Sequence, residues 1–157
     1  MKVREMTFED LPEVTAIEEA TFSIPWTYEA MLEARNAKEN VYLVCVDDDE
    51  ILGYCGLWGV LGEGNIVNIA VKESARRRGV ATMLMNSLEV YGREKNIVVY
   101  FLEVRESNES ARNLYKKCGY RDIGLRKNFY EKPVENAVVM SKITDRESYD
   151  KNFGVRT

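Results

Sequence analysis

Residues 65–104 read as strand, basic turn, helix and strand, and the turn is Arg76-Arg77-Arg78-Gly79-Val80-Ala81. This succession constrains the fold more than any other feature of the chain. Two strands joined through one helix close as a right-handed crossover, which makes the strands parallel neighbours. Val80, Met83, Leu84, Ser87, Leu88 and Tyr91 recur at helical spacing behind the basic run. Three cations ahead of a helix oppose its macrodipole, which is positive at that end, so the arrangement calls for something negative bound beside it. A glycine lets backbone approach a ligand closely, and the first amides of a helix are unused donors. Together they form an anion site suited to a phosphate or pyrophosphate. The alternative is a basic corner that is merely solvated.

The rest of the chain alternates in the same manner. Lys2 to Met6 reads as a strand, and Asp10 is placed to cap a helix carrying Pro12 in its first turn, with Leu11, Val14, Ile17 and Ala20 on its apolar face. Phe22 to Trp26 is a loop, and Thr27 opens a second helix to about Lys38. Val41 to Val46 and Ile51 to Val60 form a hairpin around the polar turn Asp47-Asp48-Asp49-Glu50. That turn lacks the spaced ligands and glycine of a calcium loop, and no metal site is expected. Asn65 to Val71 and Ile97 to Val104 are the crossover strands, and Asn108 caps a helix that ends before Gly119. Arg121 to Lys127 and Ala137 to Ile143 complete a domain spanning residues 1–144, and residues 145–157 read as a polar, mobile tail.

Composition removes several chemistries. The chain has 157 residues and no histidine, which excludes Ser-His-Asp and Cys-His catalysis and the common zinc sites. Proton transfer near neutral pH then falls to Glu, Asp, Tyr, Lys, Cys or water. Cys45, Cys55 and Cys118 are odd in number and form no Cys-x-x-Cys pair, consistent with reduced thiols in the cytoplasm. A net charge of −4 argues against general binding of nucleic acid. No signal peptide is expected from the charged opening Met1 to Glu5, and no apolar run approaches the ~20 residues that span a bilayer.

Candidate catalytic groups lie at the end of the second crossover strand. Ile97 to Leu102 is apolar on both faces, as in a covered central strand, and Glu103 interrupts it. Alternation puts Glu103 on the face of Ile97, Val99 and Phe101, at the carboxyl end where ligands of open α/β sheets collect. A carboxylate there is a candidate general base; the alternatives are exposure to water or pairing with Arg105. Tyr115 lies on the next helix, on a face with Ala111, Leu114 and Cys118, and by itself reads equally as a core tyrosine.

Taken together these features resemble the GNAT family of acetyl-CoA-dependent N-acetyltransferases. The resemblance runs from Val3 to Ile143 and rests on Arg76 to Ala81 (the family's Gln/Arg-x-x-Gly-x-Gly/Ala signature), Pro25-Trp26, Asn68 to Val71, Leu102 to Asn108, Leu114-Tyr115 and Arg126 to Tyr130. It implies an α/β fold with a mixed, largely antiparallel sheet, flanked by helices, whose parallel strand pair splays into a slot. It implies acetyl-CoA as co-substrate, held by Arg76, Arg77, Arg78, Gly79, Val80, Ala81 and Thr82, with Asn108 as a further contact and Ile69, Ala70 and Val71 along the pantetheine arm. It assigns Glu103 as general base and Tyr115 as general acid. Within the family the likeness is to enzymes that acetylate the N-terminal alanine of a small-subunit ribosomal protein, a basic partner, with Trp26 and Tyr130 as walls for the first residue. The chain departs from that group in having Arg76 where glutamine is frequent, Ala81 for the last glycine, and Phe129-Tyr130 for two tyrosines. A family member acting on another N-terminus, a lysine or a small amine is the alternative enzyme. A non-catalytic acetyl-CoA-binding module is the alternative of another kind.

Overall fold

The computed structural model describes residues 1–154. Seven strands form one sheet in the order β1-β2-β3-β4-β5-β7-β6: β1 (Lys2–Glu5), β2 (Asn40–Asp47), β3 (Glu50–Val60), β4 (Glu63–Val71), β5 (Val99–Arg105), β6 (Arg121–Tyr130) and β7 (Glu135–Ile143). Every neighbouring pair is antiparallel except β4 and β5, the pair joined by the helical crossover. Five helices flank the sheet: α1 (Leu11–Thr21), α2 (Tyr28–Asn36), α3 (Val80–Glu94), α4 (Glu109–Lys117) and α5 (Arg146–Phe153). None of the described helices is long and apolar enough to cross a membrane.

Two cores form, one on each side of the sheet. On one side Val80, Leu84, Met85 and Leu88 of α3 pack with Leu57, Ile66, Tyr100, Leu102 and Val104 from the strands and with Tyr115 of α4. On the other, Leu11, Val14 and Ile17 of α1 and Met31 and Ala34 of α2 pack over Tyr42, Val44, Tyr54 and Ala70. A fully buried Leu, Met or Val contributes about 1.5–3 kcal/mol to such a core.

The parallel pair is short. Glu63, Gly64, Asn65 and Ile66 pair with Val99, Tyr100, Phe101 and Leu102, and there the ladder stops. The same point carries a bulge against β3, where Gly56 pairs with Asn68 but the next residue, Leu57, pairs with Ile66. Val67 is therefore the extra residue. A bulge bends its strand, raises the local twist and switches which residues face each side. Before it Ile66 points into the α3 core; after it Ala70 points into the α1 core, and Ile69 and Val71 turn to α3. The predicted splay thus has a local cause, one surplus valine in β4.

Several local expectations are corrected. Asp10 does not cap α1 through its side chain. Its carboxylate accepts from the Thr7 amide (2.7 Å) and pairs with the Arg4 guanidinium (2.6 Å), tying a short helical turn at Phe8–Asp10 to β1. The buried stripe of α1 is Leu11, Val14, Thr15, Ile17 and Glu18, whereas Ala20 is exposed. α2 stops at Asn36, short of the expected end at Lys38. β6 runs on to Tyr130, beyond the expected Lys127. It is an edge strand, exposed from Arg121 to Phe129, so no apolar alternation marks its length. The presumed tail carries α5, capped by the Asp145 side chain accepting from the Ser148 amide at 3.1 Å. Tyr149 and Phe153 stack one turn apart on it, with ring centroids 5.3 Å apart, an aromatic i, i+4 pair visible in the sequence. Residues 155–157 of that tail lie outside the described residues.

Candidate active site

The basic turn is built by two left-handed residues. Arg76 is extended, Arg77 has φ +63° and Gly79 has φ +81°, which reverses the chain so that α3 starts at Val80. A Cβ on Gly79 would meet nothing within 4 Å, so the backbone angle alone calls for glycine. Met83 makes the first helical bond, its amide donating to the Gly79 carbonyl at 3.0 Å. The amides of Val80, Ala81 and Thr82 precede that bond and have no helical acceptor. The first turn of α3 contains no acidic side chain to occupy them. Arg76, Arg77 and Arg78 are all exposed around this nest. Arg78 reaches Asp47 on the β2–β3 turn at 3.1 Å, an exposed pair that contributes little to stability.

Ile69, Ala70 and Val71 lead into the turn. They pair with Cys55, Tyr54 and Gly53 on β3, while β5 has already left on the other side. That edge of β4 therefore offers main-chain groups to the gap.

Glu103 stands across the gap on β5, opposite Val139 of β7. Tyr100, Leu102 and Val104 face the α3 core, so Glu103 faces the α1 side together with Phe101 and Arg105. Ile97 does not share that face; it precedes the strand and packs into the α3 core. The Glu103 partner is Arg126 of β6, at 3.6 Å, rather than Arg105. Arg105 is engaged elsewhere, with Glu135 at 3.2 Å and over the Tyr130 ring at 4.5 Å.

One phenol lies near this carboxylate, and a second lies beyond it on the α3 side. Burial pushes the Tyr130 hydroxyl up to about 12, and the negative charge of Glu103 adds to the rise. Tyr115 is buried in the α3 core, tilted against Tyr120 with centroids 6.4 Å apart. Burial, and then Tyr130, hold its phenol well above the ordinary tyrosine range, so it keeps its proton at neutral pH. Tyr130 of β6 thus feels Glu103 of β5 on one hand and Tyr115 of α4 on the other. Asn108 caps α4, its side-chain oxygen accepting from the Ala111 amide at 3.2 Å, and its NH₂ is the donor it can offer a ligand.

Trp26 belongs to a different cluster. Its ring packs on the α1 core and meets Trp58 edge-on, centroids 5.7 Å apart. Its amide donates to Glu18 at 2.9 Å. Glu18 is only 2% exposed and also accepts from the Tyr54 hydroxyl. Tyr42 donates to Asn68 at 3.0 Å and accepts from the Trp58 indole at 3.0 Å. No individual role follows from the sequence for Glu18, Tyr42, Tyr54 or Asn68, although Asn68 opens one of the segments that carry the family resemblance. One signal was available, since Glu18 falls on the apolar stripe begun by Leu11 and Val14, where an unexplained acid is out of place.

Comparison with known proteins agrees with this geometry. The sequence profile described as Acetyltransferase (GNAT) family matches residues 11–120. A Bacillus subtilis protein, provisionally named a [ribosomal protein bS18]-alanine N-acetyltransferase, is 39% identical over 142 residues, covering 88% of this chain and 92% of its own. The [ribosomal protein bS18]-alanine N-acetyltransferase of Haemophilus influenzae is 34% identical over 135 residues, covering 84% and 91%. In fold, the crystal structure of the ribosomal-protein-S18-alanine N-acetyltransferase from Escherichia coli superposes with a TM-score of 0.85 at 23% identity, over 92% of this chain and 94% of that one. A sheet that opens at its parallel pair, a helix start stripped of acids, and relatives matched across most of their length lead to one conclusion: the chain belongs to the GNAT family and is an acyltransferase.

Proposed function

We propose that this chain transfers the acetyl group of acetyl-CoA to the N-terminal α-amine of a small-subunit ribosomal protein that begins with alanine, Glu103 acting as general base and Tyr115 as general acid. The observation that carries this reading is the separation of β4 from β5 at Val67, which leaves an unpaired strand edge between a nest of free amides and a carboxylate. The names of the Bacillus and Haemophilus relatives supply the acceptor.

The residues present suit such a co-substrate. Its diphosphate matches the amides of Val80, Ala81 and Thr82 and the surrounding Arg76, Arg77 and Arg78. Its pantetheine amides match the open edge at Ile69, Ala70 and Val71. The bound thioester supplies an activated acyl carbon; the protein supplies proton management and alignment. An α-amine has a pKa near ~8, so freeing it at pH 7 costs about 1.4 kcal/mol, against roughly 4.6 kcal/mol for a lysine amine near ~10.4. Glu103 takes that proton, directly or through one water. A backbone amide of Ala70 or Val71 donates to the oxygen on which charge develops. Tyr115, protonated at neutral pH, gives a proton to the departing thiolate. Trp26 and Tyr130 flank the first residue of the acceptor. A net charge of −4 favours the approach of a basic partner, and the cytoplasm, where ribosomal proteins are met, is the compartment this reading assigns.

The test is a thiol-release assay with acetyl-CoA and basic peptides that differ only in their first residue. Preferred turnover of the alanine peptide, with mass spectrometry locating the acetyl group on the α-amine, is the expected result. Equal turnover of internal lysines would move the assignment elsewhere in the family. Binding of acetyl-CoA without turnover of any amine would leave a binding module.

A further inference from the structure

The α1 face of the sheet holds a closed circuit of polar contacts that the chemistry above does not use. The Trp58 indole donates to the Tyr42 hydroxyl, and Tyr42 donates to the Asn68 side-chain oxygen. Asn68 also neighbours the Tyr54 hydroxyl, and Tyr54 donates to Glu18. The second oxygen of Glu18 accepts from the Trp26 amide, and the Trp26 ring returns to Trp58. The circuit crosses β3, β2, β4 and α1 and ends on the loop before α2.

Three features set it apart from ordinary packing. Glu18 and Asn68 are 2% and 4% exposed, and among the described residues no basic side chain forms a salt bridge with Glu18. A buried carboxylate without a cation costs stability, and an apolar side chain of similar volume would fill the place more cheaply. Its direction is also fixed. An indole can only donate and a carboxylate can only accept, so each hydroxyl between them has one orientation. Lastly, Asn68 is the first residue of β4 beyond the bulge, at the point where the strand leaves β5. Gly56, its partner on β3, gives the Tyr42 ring its place, because a Cβ there would clash with the ring edge that carries the hydroxyl.

We infer that Glu18, Tyr54 and Asn68 are positioning residues: they lock the Trp26 loop to the strand edge at Asn68, so that the wall facing the first acceptor residue is rigid and admits only a small side chain. This rests on the peptide N-terminus being the acceptor. The network touches neither the anion nest nor Glu103, so it governs which amine is accepted and leaves thioester binding alone.

The chain has two tryptophans, so Trp58→Phe leaves Trp26 as the only indole reporter. In that background Glu18→Gln keeps the shape of the side chain but has one acceptor oxygen for two donors, so the Trp26 amide and the Tyr54 hydroxyl can no longer both donate to it. Acrylamide quenching of Trp26 should rise, the preference for alanine over leucine as first residue should fall about tenfold through a raised KM on the alanine peptide, and acetyl-CoA affinity should hold. Tyr54→Phe, which removes one hydroxyl, should act in the same direction and serves if the glutamine variant fails to fold. Unchanged quenching and unchanged preference in folded variants overturn the inference. So does a fall of kcat and acetyl-CoA affinity in step with the melting temperature, which marks a merely structural network. If the parent binds acetyl-CoA but acetylates no peptide, the functional reading fails and the size-selection claim with it; quenching still reports whether Glu18 holds Trp26.

Discussion

The two faces of the sheet are built on different terms. Under α3 the core is made of Val80, Leu84, Met85, Leu88, Leu102 and Val104, with tyrosine rings inserted among the aliphatics. Under α1 and α2 the aliphatics surround a buried carboxylate, a buried amide and two tyrosines joined by hydrogen bonds. The α3 face positions the anion nest, whose donors are main-chain amides at a helix start. The α1 face carries the groups proposed to meet an amine: Glu103 points to it, and Trp26 hangs from Glu18 on it. An apolar core is enough to hold a helix end in place. Selecting among amines calls for fixed polar groups, and those have to be buried at a cost in stability. The bulge at Val67 joins the two regimes, because it shifts the alternation of β4 so that Ile66 faces α3 while Asn68 and Ala70 face α1.

The division of labour can be broken by variants that disturb one face and leave the other alone. The largest effect is expected for Glu103→Gln. Peptide turnover should fall by about 10²- to 10⁴-fold, the usual contribution of a general base, with acetyl-CoA affinity unchanged by calorimetry. Turnover within a few-fold of the parent would remove Glu103 from the mechanism and reduce the α1 face to packing. The converse variant is Gly79→Ala. A methyl group there meets no neighbour, but the left-handed angle costs an L-residue about 1–2 kcal/mol. Acetyl-CoA should bind about tenfold more weakly while the peptide KM holds, since 1.4 kcal/mol is about one decade. A shift of both constants together would show that the two faces are not separable.

The smallest effect sharpens the comparison through pH. Burial raises the hydroxyls of Tyr42 and Tyr54 on the α1 face and of Tyr100, Tyr115 and Tyr120 on the α3 face above the ordinary tyrosine value. The unfolded chain releases those protons near pH ~10, while the folded chain retains them. Above that pH the native state binds more protons than the unfolded state, so stability falls as pH rises. Below it these groups contribute their full stability. The thiols of Cys45, Cys55 and Cys118 are raised by burial as well, so melting temperatures should be level from neutral pH to about 8, begin to fall there and decline more steeply beyond about 10. Tyr54→Phe and Tyr100→Phe should each flatten the decline, and a flattening confined to one would reveal a face whose phenols titrate normally.

Some of this was legible in the chain. The Arg76-to-Ala81 turn between strand and helix gives the parallel crossover and the nest, because helix termini and left-handed glycines obey local rules. The apolar run ending at Glu103 gives a central strand with an acid at its carboxyl end, and Asn108 is a local cap. Other features lay beyond local rules. Edge strand β6 has no buried face to leave an alternating pattern. The Asp10 carboxylate is drawn from the cap position by Arg4, a residue on another element.

What the sequence by itself determined was the order of elements, the anion nest and the acid at the end of β5, since each follows from periodicity or from a residue's own backbone preference. What only the tertiary structure decided was where β4 leaves β5, that Glu103 pairs with Arg126, and that Glu18, Tyr54, Asn68 and Tyr42 meet. Strand register and buried hydrogen bonds join residues such as Glu18 and Tyr54, or Asn68 and Tyr42, which are far apart along the chain. Their energies depend on burial, which no short stretch of sequence possesses until the sheet has closed over it.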